Sequence, residues 1–303
     1  MNAKSFQRLA AALIRHAPGA SATEPHLRAA IHQLAATPGK LVRPQLVLAG
    51  AMHHGLRGAA AERLACAVEY FHTASLVLDD LPCMDDAALR RNRPCVHRQH
   101  GDATAILAAL AFINRAYSLV GDALAAEPRS VRVKASACLD RSLGVAGLVG
   151  GQAWDLAFAE TDRSARTVGM VAAAKTGALF ELAILLPATL ARPTRAEWRS
   201  LRALCLYWGQ GFQIADDLRD VLAASYEAGK TTGRDRLLGR PNLAYALGVP
   251  AARARLRRLS AQSATALARL TAGGGRRWHY LAAAGAALSE VMATVDEAQS
   301  AAA

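Results

Sequence analysis

Two groups of aspartates, Asp79-Asp80-Leu81-Pro82-Cys83-Met84-Asp85-Asp86 and Asp216-Asp217-Leu218-Arg219-Asp220, stand far apart in sequence that is otherwise apolar and helical in pattern. Carboxylates crowded against apolar sequence are costly unless something positive sits among them. Oxygen-only ligands select a hard divalent cation, most simply magnesium. One such group alone would read as a solvated helix end, whereas two, each embedded in apolar sequence, favour metal binding. Cations recur at separate places. Gly39-Lys40-Leu41-Val42-Arg43-Pro44 reads as a turn leading into a helix, where backbone donors and two cationic side chains can hold a phosphate. Arg90 and Arg91 follow the first acidic group, Lys175-Thr176-Gly177 lies midway, and Gly229-Lys230-Thr231-Thr232-Gly233 follows the second. Acids for metal and separate cations for phosphate together imply a metal-bridged diphosphate.

Helices must position these groups. Residues 67–80 keep helical phase, and Pro82 then removes a donor and disfavours α geometry at Leu81. On an unbroken helix Asp79 and Asp85 would lie about 120° apart, so the break at Pro82 is what lets Asp85 turn back toward Asp79. No proline interrupts the second group, and Asp216 and Asp220 share one face at i, i+4. Turn signals at Pro38-Gly39, Gly55, Pro82, Pro94, Pro128, Pro193, Gly229 to Gly233, Pro241, Pro250 and Gly273 to Gly275 separate Ala- and Leu-rich segments over 58–80, 102–125, 130–150, 165–192 and 195–224. No segment alternates as a strand does, and no linker or repeat divides the chain. The expectation is an all-α helical bundle, one domain over 1–303.

Composition narrows the function. Of the 303 residues 52% are apolar and only 5% aromatic, a bias toward helices. No apolar run reaches the roughly 20 residues of a membrane span, so a soluble or at most peripheral protein with no span, placed in the cytoplasm, is expected. Five cysteines, odd in number and without a CxxC pair, argue against zinc and disulfides and for a reducing compartment. The N-terminus is basic and free of acids until Glu24; an amphipathic helix ended by Pro18-Gly19 is expected, with a transit peptide as the alternative. A net charge of +12 invites a nucleic-acid reading, but the arginines are scattered along helices without interleaved aromatics, and no nucleic-acid partner is expected.

The segment Glu69-Tyr70-Phe71-His72-Thr73-Ala74-Ser75-Leu76-Val77-Leu78-Asp79-Asp80-Leu81-Pro82-Cys83-Met84-Asp85, continuing to Leu89-Arg90-Arg91-Asn92-Arg93-Pro94, resembles the first aspartate-rich motif of the trans-isoprenyl diphosphate synthases. Gly211-Phe212-Gln213-Ile214-Ala215-Asp216-Asp217-Leu218-Arg219-Asp220 resembles the second. Gly147-Leu148-Val149-Gly150-Gly151-Gln152-Ala153-Trp154-Asp155 and Lys175-Thr176-Gly177-Ala178-Leu179-Phe180 are similar to the blocks between them, in the same order. The resemblance covers residues 30–250, and its wording is most similar to the bacterial geranylgeranyl diphosphate synthases of carotenoid pathways.

That resemblance implies an isoprenoid-synthase bundle around a central cavity, a homodimer, and magnesium as cofactor, three ions with diphosphate bound. It implies that Lys40, Arg43, His72 and Arg91 hold isopentenyl diphosphate, and that Arg90, Lys175, Thr176, Gln213 and Lys230 belong to the allylic diphosphate. Asp79, Asp85 and Asp216 match the principal metal ligands, with Asp80, Asp217 and Asp220 supporting. It further implies that product length is set below Asp79, where Ser75 and Phe71 follow at i−4 and i−8 and Ala74 at i−5. Members that stop at fifteen carbons commonly carry an aromatic at the Ala74 position; small Ala74 and Ser75 let the chain pass, and Phe71 becomes the candidate floor for a C20 product. Ordinary core packing is the competing reading of Phe71.

The chain departs from the family in three places. Pro38 replaces the first glycine of a Gly-Gly-Lys turn, Ala87 and Ala88 stand where relatives often have further acids, and Arg240-Pro241-Asn242 replaces a Lys-x-Thr block. Farnesyl diphosphate synthase is the alternative within the family. A non-catalytic subunit and a class I terpene cyclase are the alternatives beyond it; the first typically loses one aspartate motif, and the second has no use for an isopentenyl site.

Overall fold

The computed structural model describes residues 3–19, 23–222, 240–273 and 275–286. The chain forms two compact units, residues 1–132 and 133–303.

The first unit holds α1 (Ala3–His16), α2 (Pro25–Ala36), α3 (Val42–His53), α4 (Gly58–Asp79), a short α5 (Val96–His100) and α6 (Asp102–Ala123). α4 is buried nearly all round, from Ala61 to Val77, as a helix at the centre of a core must be. It packs against α6, α3 and α1. Tyr70 meets Phe112 of α6 edge to face at 4.9 Å and donates its hydroxyl to the Leu13 carbonyl of α1 at 2.5 Å. Each such fully buried aromatic contributes about 1.5–3 kcal/mol to holding α4 in the core. Buried Glu62 adds ion pairs to Arg8 and Arg15, which lock α1 onto the N-terminal half of α4.

The second unit takes up α7 (Arg129–Leu143), within which the boundary falls, then α8 (Leu148–Leu156), α9 (Ala165–Ala188), α10 (Arg195–Leu222), α11 (Leu243–Leu247) and α12 (Val249–Gly273). Three short 3-10 turns and a final helical segment over 280–286 complete it. α10 packs against α9 and α12 around Trp208, Phe180, Leu182 and Leu201. Glycines allow these helices to approach closely: a Cβ on Gly209 of α10 would lie 2.8 Å from Gly177 Cα of α9, and one on Gly151 of α8 would lie 2.4 Å from the Lys175 backbone nitrogen.

Three sequence expectations change. The segment 130–150 is interrupted between Leu143 and Leu148, where the backbone around Gly144 and Gly147 leaves the helix. A two-stranded antiparallel ladder, β1 (Leu89–Arg90) with β2 (Arg93–Pro94), follows the first acidic group; strands this short leave no alternation to read. Finally, α6 and the stretch Ala165–Ala191 are long and apolar enough to cross a membrane by length and composition. Scattered polar residues kept either from reading as an uninterrupted apolar run, and both helices pack within their own units, α6 on α4 and α9 on α10.

Candidate active site

In the first unit α4 ends at Asp79, and the chain after Pro82 folds back on it. The Asp85 N–H donates to the Asp79 carbonyl at 3.0 Å, while Asp86 donates to the Leu81 carbonyl and Ala87 to that of Asp80. This is the reversal Pro82 led one to expect, and it places Asp79 and Asp85 on one turn, both half-buried. Asp80 is different. At 4% exposure it faces inward and grips Arg90 through both carboxylate oxygens, Nε lying 3.1 Å and 3.2 Å away. Burial works against the Arg90 cation, but Asp80 outweighs it and raises its proton affinity. Asp86 is exposed and pairs with Arg98.

The turn joining β1 and β2 has Arg91 and Asn92 both at positive φ, 54° and 59°, as a tight primed hairpin turn requires. Leu41, before α3, and Asp86 are also left-handed, so four of the six such non-glycine residues among those described lie in the loops next to these charged groups. Arg91 donates to the Thr37 carbonyl at 2.6 Å and lies 3.8 Å from Glu69. Arg43 Nη1 lies 3.4 Å from His72 Nε2. Burial first, then Arg43, Arg91 and Arg90, hold the imidazole well below its usual pKa, so the ring is neutral. With Nε2 facing a guanidinium donor, the ring proton belongs on Nδ1, which is buried and has no hydrogen-bond partner among the described residues. An anion with acceptor oxygens suits that donor. Lys40 is exposed on the loop ahead of α3. Beneath Asp79, Ala74 and Phe71 are buried, Ser75 donates to the His72 carbonyl at 2.9 Å, and Phe71 meets Tyr117 of α6 edge to face at 4.9 Å.

In the second unit the close approach at Gly177 and Gly209 supports a polar relay. Thr176 of α9 donates to Gln213 Oε1 on α10, Gln213 Nε2 donates to Asp217 Oδ1 at 2.8 Å, and Asp217 Oδ2 accepts from the Leu243 N–H of α11 at 2.7 Å. Asp217 is 1% exposed and spends both oxygens on this relay; Asp220 is buried as well. Asp216, by contrast, keeps its side chain 38% exposed, with Arg219 at 4.0 Å. Where α8 and α9 touch at Gly151, Lys175 donates to buried Asp155 at 2.8 Å. Arg240 donates to the Asp155 carbonyl at 3.1 Å, and Asn242 caps α11 through Tyr245. The Arg-Pro-Asn departure therefore has local work: a guanidinium placed on Asp155 and a helix cap. Lys230 and the loop around it lie outside the described residues.

The acids thus sort by exposure. Asp79, Asp85 and Asp216 reach solvent, whereas Asp80, Asp217 and Asp220 are buried, two of them holding Arg90, Gln213 and Leu243. Among the described residues no three acid, histidine or cysteine side chains form a ready-made cage. Magnesium fits this donor set nonetheless, because it keeps several waters and phosphate oxygens and takes only one or two carboxylates from the protein. Sequence reasoning missed Glu69 and Asp155 as holders of cations, and the Asp217 bond to a backbone N–H.

The sequence pattern described as polyprenyl synthetase matches residues 24–271. The chain is 38% identical over 236 residues to a geranylgeranyl diphosphate synthase of Pantoea ananas, covering 76% of this chain and 74% of that protein. It is 40% identical over 222 residues to one of Pseudescherichia vulneris, covering 73% and 70%. Among solved structures, a Helicobacter pylori geranyltransferase complexed with magnesium and isoprenyl diphosphate is similar with a TM-score of 0.83 at 27% identity, over 95% of this chain and 96% of that one. A Zymomonas mobilis FPP/GFPP synthase gives 0.76 at 31% identity, over 92% and 93%.

Proposed function

Because the chain belongs to the polyprenyl synthetase family, we propose that it is a short-chain trans-prenyltransferase, acting as a single polyprenyl synthetase domain, that condenses isopentenyl diphosphate with dimethylallyl, geranyl and farnesyl diphosphates to give geranylgeranyl diphosphate. The observation that carries this reading is the sorting of the six matched acids: the three matched to principal metal ligands reach solvent, whereas the three supporting ones are buried, Asp80 on Arg90 and Asp217 on Gln213 and a backbone N–H. The two bacterial relatives named for the C20 product, together with small Ala74 and Ser75, support the product length.

Asp79, Asp85 and Asp216 would hold the magnesium, three ions in the full complex. Magnesium, when bound, neutralises the diphosphate and makes it a better leaving group. Lys175, held by Asp155, and Gln213, held by Thr176 and Asp217, orient the allylic diphosphate. Its C–O bond breaks, the electron pair leaves with diphosphate, and preorganised charge stabilises that separation. Lys40, Arg43, Arg91 and the Nδ1–H of His72 place isopentenyl diphosphate so that its double bond attacks the allylic cation. The new C–C bond forms, and the proton lost goes to the departing diphosphate, which accounts for the absence of a general base from both motifs. The apolar helices exclude water that would quench the cation.

Two features support the remaining assignments. α6 exposes Ile106, Leu107, Leu110 and Tyr117 along its length, an apolar face suited to a second copy of the chain and so to a homodimer. All five cysteines are free, in keeping with a reducing, cytoplasmic setting.

The test is diphosphate release. With isopentenyl diphosphate, farnesyl diphosphate and magnesium all present, release proceeds; omitting either substrate stops it, and excess EDTA lowers the rate by about 10³-fold or more. Release from farnesyl diphosphate alone, with a hydrocarbon product, would instead identify a terpene cyclase.

A further inference from the structure

Glu69 lies ten residues before Asp79 on α4 and is 3% exposed. A carboxylate in such a place is expensive, and an apolar residue of similar size would cost the fold less. Its surroundings are two cations brought by different elements. Arg91 comes from the hairpin turn, with Nη2 3.8 Å from Glu69 Oε1; Arg43 comes from α3, and its charge acts on Glu69 together with that of Arg91. Glu69 and His72 lie one turn apart on the same face of α4, so the acid faces Arg91 while the imidazole faces Arg43. The Thr37 carbonyl takes a further Arg91 N–H, and the missing Cβ of Gly39 leaves room for the guanidinium, since a Cβ there would lie 2.7 Å from Nη2. Burial pushes the Glu69 carboxyl up to about 7 and brings Arg43 down to about 10, so ionised acid and cations depend on one another.

Resting on the proposed function, we infer that Glu69 is the positioning residue for the homoallylic diphosphate. It does not touch the substrate; it holds the guanidinium groups of Arg43 and Arg91 together before the anion arrives. Two half-buried like charges repel and splay without a counter-charge, and the incoming diphosphate must then gather them at the expense of its own affinity. The loss falls on isopentenyl diphosphate alone, because Lys175 and Gln213 are oriented by Asp155, Thr176 and Asp217 instead.

Glu69→Gln keeps the shape and removes the charge. In steady-state assays it should raise KM for isopentenyl diphosphate about tenfold, with kcat and KM for farnesyl diphosphate within about twofold of wild type. Glu69→Asp, which restores the charge, should recover part of the loss and also serves if the glutamine variant does not fold. Calorimetric titration of isopentenyl diphosphate alone reads the same ratio without turnover. It therefore tests Glu69 even if no condensation occurs, an outcome that would refute the proposed function instead. An unchanged or improved affinity in Glu69→Gln, or an equal loss for both substrates, overturns the inference.

Discussion

Asp79→Ala should lower kcat for condensation by about 10³-fold, equivalent to about 4 kcal/mol of transition-state stabilisation, while isopentenyl diphosphate still binds. Asp79 sits at the last turn of α4, half-buried, with the Asp85 N–H folded back on its carbonyl. Its carboxylate is removed without disturbing the backbone bond that shapes the turn, so the protein should fold and fail only where metal charge is needed. Asp216→Ala should behave in the same way. The buried acids predict a different phenotype. Asp217→Asn cannot accept from both Gln213 and the Leu243 N–H as the carboxylate does, and it leaves a buried donor poorly paired at a cost of about 1–3 kcal/mol. Thermal melting alongside single-turnover rates separates the two classes: unchanged melting with lost chemistry for Asp79 and Asp216, lowered melting for Asp217. Equal loss of stability in all three would remove the distinction.

The second large effect concerns product length. Ala74→Tyr should shorten the main product from C20 to C15, because Ala74 is fully buried below the acids, where a ring would occupy the room the growing chain needs. Phe71→Ala should act in the opposite sense and lengthen the product. Phe71 is braced edge to face by Tyr117, so a floor made by Phe71 is backed from α6 and does not rest on one rotamer. Chromatography of the dephosphorylated products reads both variants. A profile unchanged in Phe71→Ala would return Phe71 to ordinary core packing, and a C20 product from Ala74→Tyr would place the growing chain elsewhere.

Much of this was legible in the sequence, and the limits are physical. Helical phase through residues 67–80 and the break at Pro82 foretold both the end of α4 and the return of Asp85, because those signals are local. The unequal standing of Asp79 and Asp80 came from family resemblance; its cause, the Arg90 clamp, depends on a hairpin too short to show a pattern. Glu69 read as part of a motif because nothing local says that residues from α3 and the hairpin turn converge on it. Asp155 and Arg240 are 85 positions apart, and Asp217 and Leu243 are 26 apart. Pairings at such separation follow from helix packing, and that packing turns on whether glycines such as Gly151 and Gly209 let backbones meet. The basic surface behind the net charge of +12 was legible as composition, whereas the few cations turned onto buried acids were not.

The most direct measurement is the length of the product. The purified protein is incubated with labelled isopentenyl diphosphate, magnesium and each allylic primer in turn, and the dephosphorylated alcohols are sized. A C20 alcohol from every primer, including farnesyl diphosphate, is the expected result; no elongation with any primer, or a product that stops at C15, would contradict the assignment.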